Sequence, residues 1–280
     1  MENFVNHFVD AGLNPASLVP AYGLAEATLA VTFTPHLRGL KTDRVDLEAL
    51  TAGRTALRLD HDANTVRIAS CGVPMPGLSV RVVSEDGQKL PDRKIGEIQV
   101  NGPSVSAGYI GDENATAESR SSDGWLKTGD LGYIADGELY VCGRIKDVII
   151  VAGKNYHAHD LESAAAEVNG VRTGNVVAFS SQNHNGESVI VIAETRNEQR
   201  SAELGKEIRN HLAKTIGISP DHVVVVPPAT LPKTSSGKLK RSETKLLYEK
   251  GELGKKTSTL LNATQVLKSK LGFLRRHITG

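Results

Sequence analysis

From Ser70 to Gly143 the chain is built of short β-favouring runs cut by glycine, proline and acidic turn residues. Leu78-Ser79-Val80-Arg81-Val82-Val83 and Gly96-Glu97-Ile98-Gln99-Val100 flank the turn Glu85-Asp86-Gly87-Gln88. β-Branched side chains pack well on a pleated surface, and Gly and Asp tolerate the dihedrals of tight turns. The pattern predicts a small sheet or barrel. Ahead of it, Phe4, Val5, Phe8 and Val9 recur at helical spacing over Met1 to Leu13 and stop at Gly12, which predicts a helix.

Near Lys146 the texture changes again. Val148 to Val151 reads as a strand, and His157 to Val168 as a helix with Leu161, Ala164, Ala165 and Val168 on one face. Asn175 to Phe179, Ser188 to Ala193 and Val223 to Val226 read as strands. Leu204, Ile208, Leu212 and Ile216 recur every four residues and mark an amphipathic helix. Strands interleaved with two helices predict a compact α+β domain. The expected division is therefore 1–145, then 146–254, then a Lys- and Ser/Thr-rich tail over 255–280, with the junction near Arg144 to Asp147.

Composition narrows the function classes. Aromatic residues make up 4%, with a single Trp at 125, which argues against a base-stacking platform and hence against a nucleic-acid partner. No apolar run is long enough to span a bilayer. The opening residues lack the basic and apolar pattern of a signal peptide. Cys71 and Cys142 are the only thiols, which suggests a reducing, cytoplasmic compartment and two small, buried, apolar side chains. The net charge of +1 hides an asymmetry: Lys238 to Gly280 holds 11 Lys+Arg against 3 Asp+Glu, a net of +8. Such a segment could attract an acidic partner or simply be solvated.

Several segments could carry chemistry. In Tyr22-Gly23-Leu24-Ala25-Glu26 the glycine lets the backbone approach a flat ligand, Tyr22 could stack on a base, and Glu26 could hold Mg²⁺. An ordinary turn is the plainer alternative. In Thr128-Gly129-Asp130 the carboxylate of Asp130, held on a glycine turn, could accept from a ribose diol, or Asp130 could merely form the turn. Thr234-Ser235-Ser236-Gly237-Lys238 is no Walker loop, because Pro232 and Leu239 stand where Gly and Ser or Thr are required. It still presents Lys238 on a polar loop, able to neutralise charge on a phosphate. Arg144, in Gly143-Arg144-Ile145-Lys146-Asp147, could fork onto hydroxyls or phosphate oxygens, or pair with a neighbouring acid. His157 and His159, two apart at a helix start, do not share a face; solvated or capping roles suit them better than metal ligation.

Taken in order and spacing, these segments resemble the acyl-adenylate-forming superfamily of acyl-CoA synthetases, peptide-synthetase adenylation domains and luciferases. Ser70-Cys71-Gly72-Val73-Pro74-Met75-Pro76-Gly77, and Gly96-Glu97-Ile98 through Gly108-Tyr109, match it too, so the resemblance runs to about Gly254. Tyr22-Gly23-Leu24-Ala25-Glu26-Ala27-Thr28-Leu29 most resembles the fatty acyl-AMP ligases, as do the stretch Phe33 to Ile68, similar to their insertion, and the lid signature from Gly153 to Glu162.

The resemblance implies α/β and α+β architecture: the C-terminal part of a large adenylating domain, with a helix and a small β-barrel-like subdomain, then a small α+β lid. It implies ATP and Mg²⁺, a fatty acid substrate, and acyl transfer to the phosphopantetheine thiol of an acyl carrier protein. Tyr22, beside Gly23, would lie against adenine and Glu26 would ligate Mg²⁺. Asp130 would grip the ribose hydroxyls and Arg144 ribose or phosphate. Lys146 would sit at the hinge, and Lys238 would bridge the attacking carboxylate and the α-phosphate. The family's phosphate loop and N-terminal subdomain would precede residue 1, so activity would need a missing N-terminal half. A non-catalytic, carrier-binding remnant and an acyl-CoA ligase using free CoA are the alternatives.

Overall fold

The computed structural model describes residues 1–61, 64–183 and 186–254, so the tail expected over 255–280 lies outside the described residues. The fold is mixed α and β and divides into two compact units between Leu161 and Glu162.

The first unit opens with α1 (Glu2–Phe8), followed by a 3-10 turn that Gly12 ends in the left-handed conformation. The antiparallel hairpin β1 (Ala21–Leu24) and β2 (Leu29–Phe33) comes next. β3 (Thr42–Asp46), α2 (Leu47–Thr51) and β4 (Thr65–Ala69) form an excursion in which β3 pairs with β4. Asp46 starts α2 by accepting from Ala49 N at 2.6 Å, which satisfies one of the helix's unpaired first-turn amides. β5 (Val73–Pro74) joins β2. β6 (Ser79–Val83), β7 (Gly96–Asn101), β8 (Leu126–Ala135) and β9 (Glu138–Arg144) make a four-stranded antiparallel sheet in chain order. Between β7 and β8 lies α3 (Glu113–Glu118), capped by Asp112. The hairpin β10 (Val148–Val151) and β11 (Lys154–His157) leads into α4 (Ala158–Ala166), through which the division between the units runs. The sheets are open; the barrel considered for this region does not form.

Among the described residues, two apolar clusters hold the first unit. Ala27, Val31, Ile98, Val100 and Leu139 pack on one side of the sheet strands. Val45, Leu50, Ala56, Ile95, Tyr133, Ala135 and Tyr140 form the other, so the excursion from β3 to Ala56 is part of the core. Tyr133 and Tyr140 face each other across β8 and β9 and stack with centroids 4.9 Å apart. The Tyr133 hydroxyl donates to the buried Asp43 carboxylate at 2.8 Å, and Arg93 donates to the same oxygen at 2.9 Å. An acid so deeply buried needs both partners.

The second unit contains β12 (Val171–Asn183), β13 (Gly186–Thr195), α5 (Ser201–Thr215), β14 (His222–Val226) and α6 (Arg241–Glu249). β13 is central, antiparallel to β12 and parallel to β14, and α5 supplies the crossover that a parallel pair requires. Val189, Ile190, Val191, Ile192 and Ala193 are all buried, as befits a strand covered on both faces. Leu204, Ile208 and Leu212 form the buried face of α5. Among the described residues no helix is long and apolar enough to cross a membrane.

Several details depart from the sequence expectations. His157 ends β11 and is buried, so a solvated role fails for it; His159, on α4, is exposed. Both cysteines are only half-buried. Asp130 stands inside β8 and not on a free turn.

Candidate active site

Asp130 lies opposite Arg144 across β8 and β9. Arg144 Nε donates to Asp130 Oδ1 at 2.7 Å, and the Tyr22 hydroxyl donates to Oδ2 at 2.6 Å. Asp130 is 9% exposed, whereas the Arg144 side chain is 64% exposed. The carboxylate is thus fixed from two sides while the guanidinium remains open to solvent. Burial and the hydrogen bond to Asp130 hold the Tyr22 phenol well above its usual range, so it stays a donor. The hydrogen bond to Asp130 likewise raises Arg144. Thr128 supports the strand: its Oγ1 accepts from Asp130 N at 3.1 Å and donates to Ile98 O at 2.7 Å.

Tyr22 is delivered by β1. The register of β1 on β2 slips between Tyr22 and Gly23, and a Cβ on Gly23 would lie 1.8 Å from the Leu29 carbonyl oxygen. Only glycine admits so close a backbone approach. After β1 the chain makes a 3-10 turn, Ala25–Ala27, that presents Glu26. The Tyr109 hydroxyl donates to Glu26 Oε1 at 2.8 Å, and Ser106 N donates to the Glu26 carbonyl at 2.7 Å. Tyr109 is raised above its usual range chiefly by that bond to Glu26. Thr28 closes the turn with a left-handed backbone and donates to Ser104 O at 2.8 Å.

Lys146 is exposed on the 3-10 turn Ile145–Asp147, between β9 and β10. Lys238 belongs to the second unit and is exposed on a tight loop. There Thr234 N donates to Lys238 O at 2.8 Å, Lys238 N to Thr234 Oγ1 at 3.0 Å and Gly237 N to Thr234 O at 2.9 Å. Gly237 takes φ +85° at the turn. The structure therefore gathers Tyr22, Asp130 and Arg144 into one cluster, keeps Glu26 on the turn after Tyr22, and holds Lys146 and Lys238 on separate exposed turns.

The sequence matches the AMP-binding enzyme family over residues 2–110 and the AMP domain of Disco-interacting protein 2-like proteins over residues 146–258. A Caulobacter vibrioides protein named as an acyl-CoA synthetase is 38% identical over 260 residues, which cover 91% of this chain and 45% of that protein. The long-chain-fatty-acid–AMP ligase FadD26 of Mycobacterium marinum is 34% identical over 263 residues, covering 86% of this chain and 44% of the relative. In three dimensions a fatty acyl-adenylate ligase, from a study of the E. coli and L. pneumophila enzymes, matches with TM-score 0.81 and 32% identity over 89% of this chain and 45% of that one. The chain belongs to the AMP-binding, acyl-adenylate-forming superfamily. It spans about half the length of the curated relatives it matches.

For this superfamily the donor set around Glu26 matters. Among the described residues no three His, Cys, Asp or Glu gather as a metal cage. One half-buried carboxylate, oriented through one oxygen by Tyr109, suits Mg²⁺ carried mainly by nucleotide phosphates and water, and would not suit a cation needing an all-protein shell. Tyr109 and Thr128 are the supporting residues that the sequence did not assign. Gly108-Tyr109 matches the family, but its bond to Glu26 is 83 residues away in sequence and no local pattern encodes it.

Proposed function

We propose that this chain carries the ribose-binding and lid portions of a ligase that activates a fatty acid with ATP as its acyl-AMP. The observation that carries this is the Tyr22–Asp130–Arg144 cluster: a nearly buried carboxylate, fixed from both sides, with lone pairs to accept from a ribose diol. Arg144 would extend toward ribose or phosphate, and Tyr22 would set its ring against adenine. Glu26 would hold Mg²⁺, which when bound neutralises phosphate charge. Lys238, on an exposed loop, would stabilise the negative charge shared by the attacking carboxylate and the α-phosphate.

The chemistry is an exchange at phosphorus. A carboxylate oxygen of the fatty acid bonds to the α-phosphorus, the bond to the pyrophosphate oxygen breaks, and pyrophosphate leaves. A phosphopantetheine thiol then attacks the acyl carbonyl. A thioester forms, the carbonyl–oxygen bond to AMP breaks, and the thiol proton passes to water. We assign the thiol to an acyl carrier protein. We place the functional boundary at 145/146, where the second family match begins and ahead of the division of the compact units at 161/162, with Lys146 as the hinge. The proposal includes a complementary portion, because this chain spans about half the length of the relatives it matches. A second reading, transfer to free CoA, is favoured by the relative named as an acyl-CoA synthetase.

Pyrophosphate release from ATP and fatty acids, followed by product analysis with holo-carrier protein or CoA, tests both. Acyl-carrier product with little acyl-CoA is expected. Efficient acyl-CoA formation would favour the second reading, and pyrophosphate release untouched by Lys238→Ala would remove the catalytic assignment.

A further inference from the structure

The loop that bears Lys238 is rooted on α6, whose first residue, Arg241, is only three positions further on. Arg241 Nε and Nη2 donate to Glu162 Oε1, each at 2.9 Å, and Nη2 also reaches Oε2 at 2.8 Å. Glu162 Oε1 additionally accepts from Ala178 N of β12 at 3.0 Å. Both side chains are largely shielded, 23% exposed for Arg241 and 14% for Glu162. On the other side of the loop, Lys240 N donates to Pro232 O at 2.9 Å, Lys233 bridges to Leu239, and buried Leu231 N donates to Glu194 Oε1 at 3.0 Å. Glu194 is wholly buried and paired with Arg172 at 2.7 Å. The loop from Pro232 to Lys240 is thus held at both roots by carboxylates, Glu194 buried and Glu162 largely shielded, while its tip is exposed.

We propose that Glu162 is a positioning residue for Lys238, acting through the guanidinium of Arg241. The multidentate geometry favours this over simple charge pairing. A planar fork gripped by both oxygens of a carboxylate fixes direction as well as distance, and a third donor, the Ala178 amide, fixes the carboxylate itself. Rotating Arg241 would swing the start of α6 and, through the Lys240–Pro232 bond, the base of the loop. The proposal rests on the catalytic reading of Lys238, but the clamp can be tested apart from it.

The test is amide hydrogen exchange on the full chain, comparing Glu162→Gln, Arg241→Gln, Arg241→Lys and the double variant E162Q/R241Q. The clamp predicts that exchange at Lys238 and Lys240 speeds about tenfold or more in Arg241→Gln, because charge-assisted bonds are lost, while Val191 and Ile192 in the core strand are unchanged. Arg241→Lys, which keeps the charge but not the fork, should restore only part of the protection. The double variant should exceed neither single variant, since the two side chains act as one unit. Equal speeding in the core strand, full rescue by lysine, or an unchanged loop would overturn the proposal. Pyrophosphate release by the same variants separates the two assignments. If Lys238→Ala leaves release intact while Arg241→Gln loosens the loop, the clamp stands and the catalytic reading falls. If both hold, Arg241→Gln should lower kcat with little change in KM for ATP.

Discussion

Asp130 accepts from both Tyr22 and Arg144, and on the proposed reading it also takes the ribose. Its replacement by alanine removes the acceptor of both Tyr22 and Arg144, so kcat/KM for ATP should fall about a hundredfold in pyrophosphate release. A fall of less than about threefold would place the ribose elsewhere. His157 gives a second prediction. Burial alone depresses it to about 4, and a Cβ on Gly143 would come within 2.6 Å of its Nδ1, so the ring sits tightly against Gly143. The folded chain keeps it neutral, whereas the unfolded chain takes up a proton below about 6.5. Its contribution to stability is therefore complete above pH 6.5 and is lost as pH falls from there toward 4, by up to about 3 kcal/mol. Urea midpoints at pH 7.5 and pH 5 measure this, and His157→Phe should flatten the difference. At this scale the segments holding Gly23, Glu26 and Asp130 read alone as ordinary turns, and only their order and spacing together single them out; the structure adds the close approach at Gly23 and the Tyr22–Asp130–Arg144 contacts. The burial of His157 was not legible. It depends on β11 lying against Gly143, and the sequence reading had run α4 back over His157.

The elements show the same division. The amphipathic repeat of α5 and the strands β6, β7, β10 and β14 follow from side-chain period, and the structure places them within a few residues of expectation. β8 and β9 were harder to read, because Thr128, Gly129 and Asp130 resemble a turn; Gly129 does adopt φ +70°, and β8 passes through it as a bulge, where the pairing with β7 shifts register between Lys127 and Leu131. The β1–β2 hairpin yields a test. Gly23→Ala would drive a Cβ into the Leu29 carbonyl, costing about 1–3 kcal/mol and displacing Tyr22 from Asp130, visible as a lowered denaturation midpoint and a raised KM for ATP. The β3–β4 excursion is equally testable. Asp43, 5% exposed, ties it to Tyr133 of β8 and to Arg93. Asp43→Ala should cost about 2–4 kcal/mol, since it strands a phenol and a partly buried guanidinium. A loss under about 0.5 kcal/mol would mean the excursion is an appendage and not part of the core.

At the scale of the molecule, the family is shared by both compact units, and the charge of the chain is divided unevenly between its body and the stretch from Lys238 onward. If an acidic carrier protein is the acyl acceptor, its affinity should fall steeply between about 50 and 200 mM salt, because exposed charges are screened over a Debye length of roughly 10 Å. A salt-independent affinity would remove the electrostatic part of the partner assignment. In the proposed function Asp130 and Lys238 each serve adenylate formation. Fatty-acid-dependent pyrophosphate release is the direct test, measured with the chain alone and with the part of FadD26 that this chain does not match added. Release is expected in at least one of these mixtures, reduced about a hundredfold or more by Lys238→Ala and by Asp130→Ala. No release in either mixture, or release indifferent to both substitutions, would contradict it.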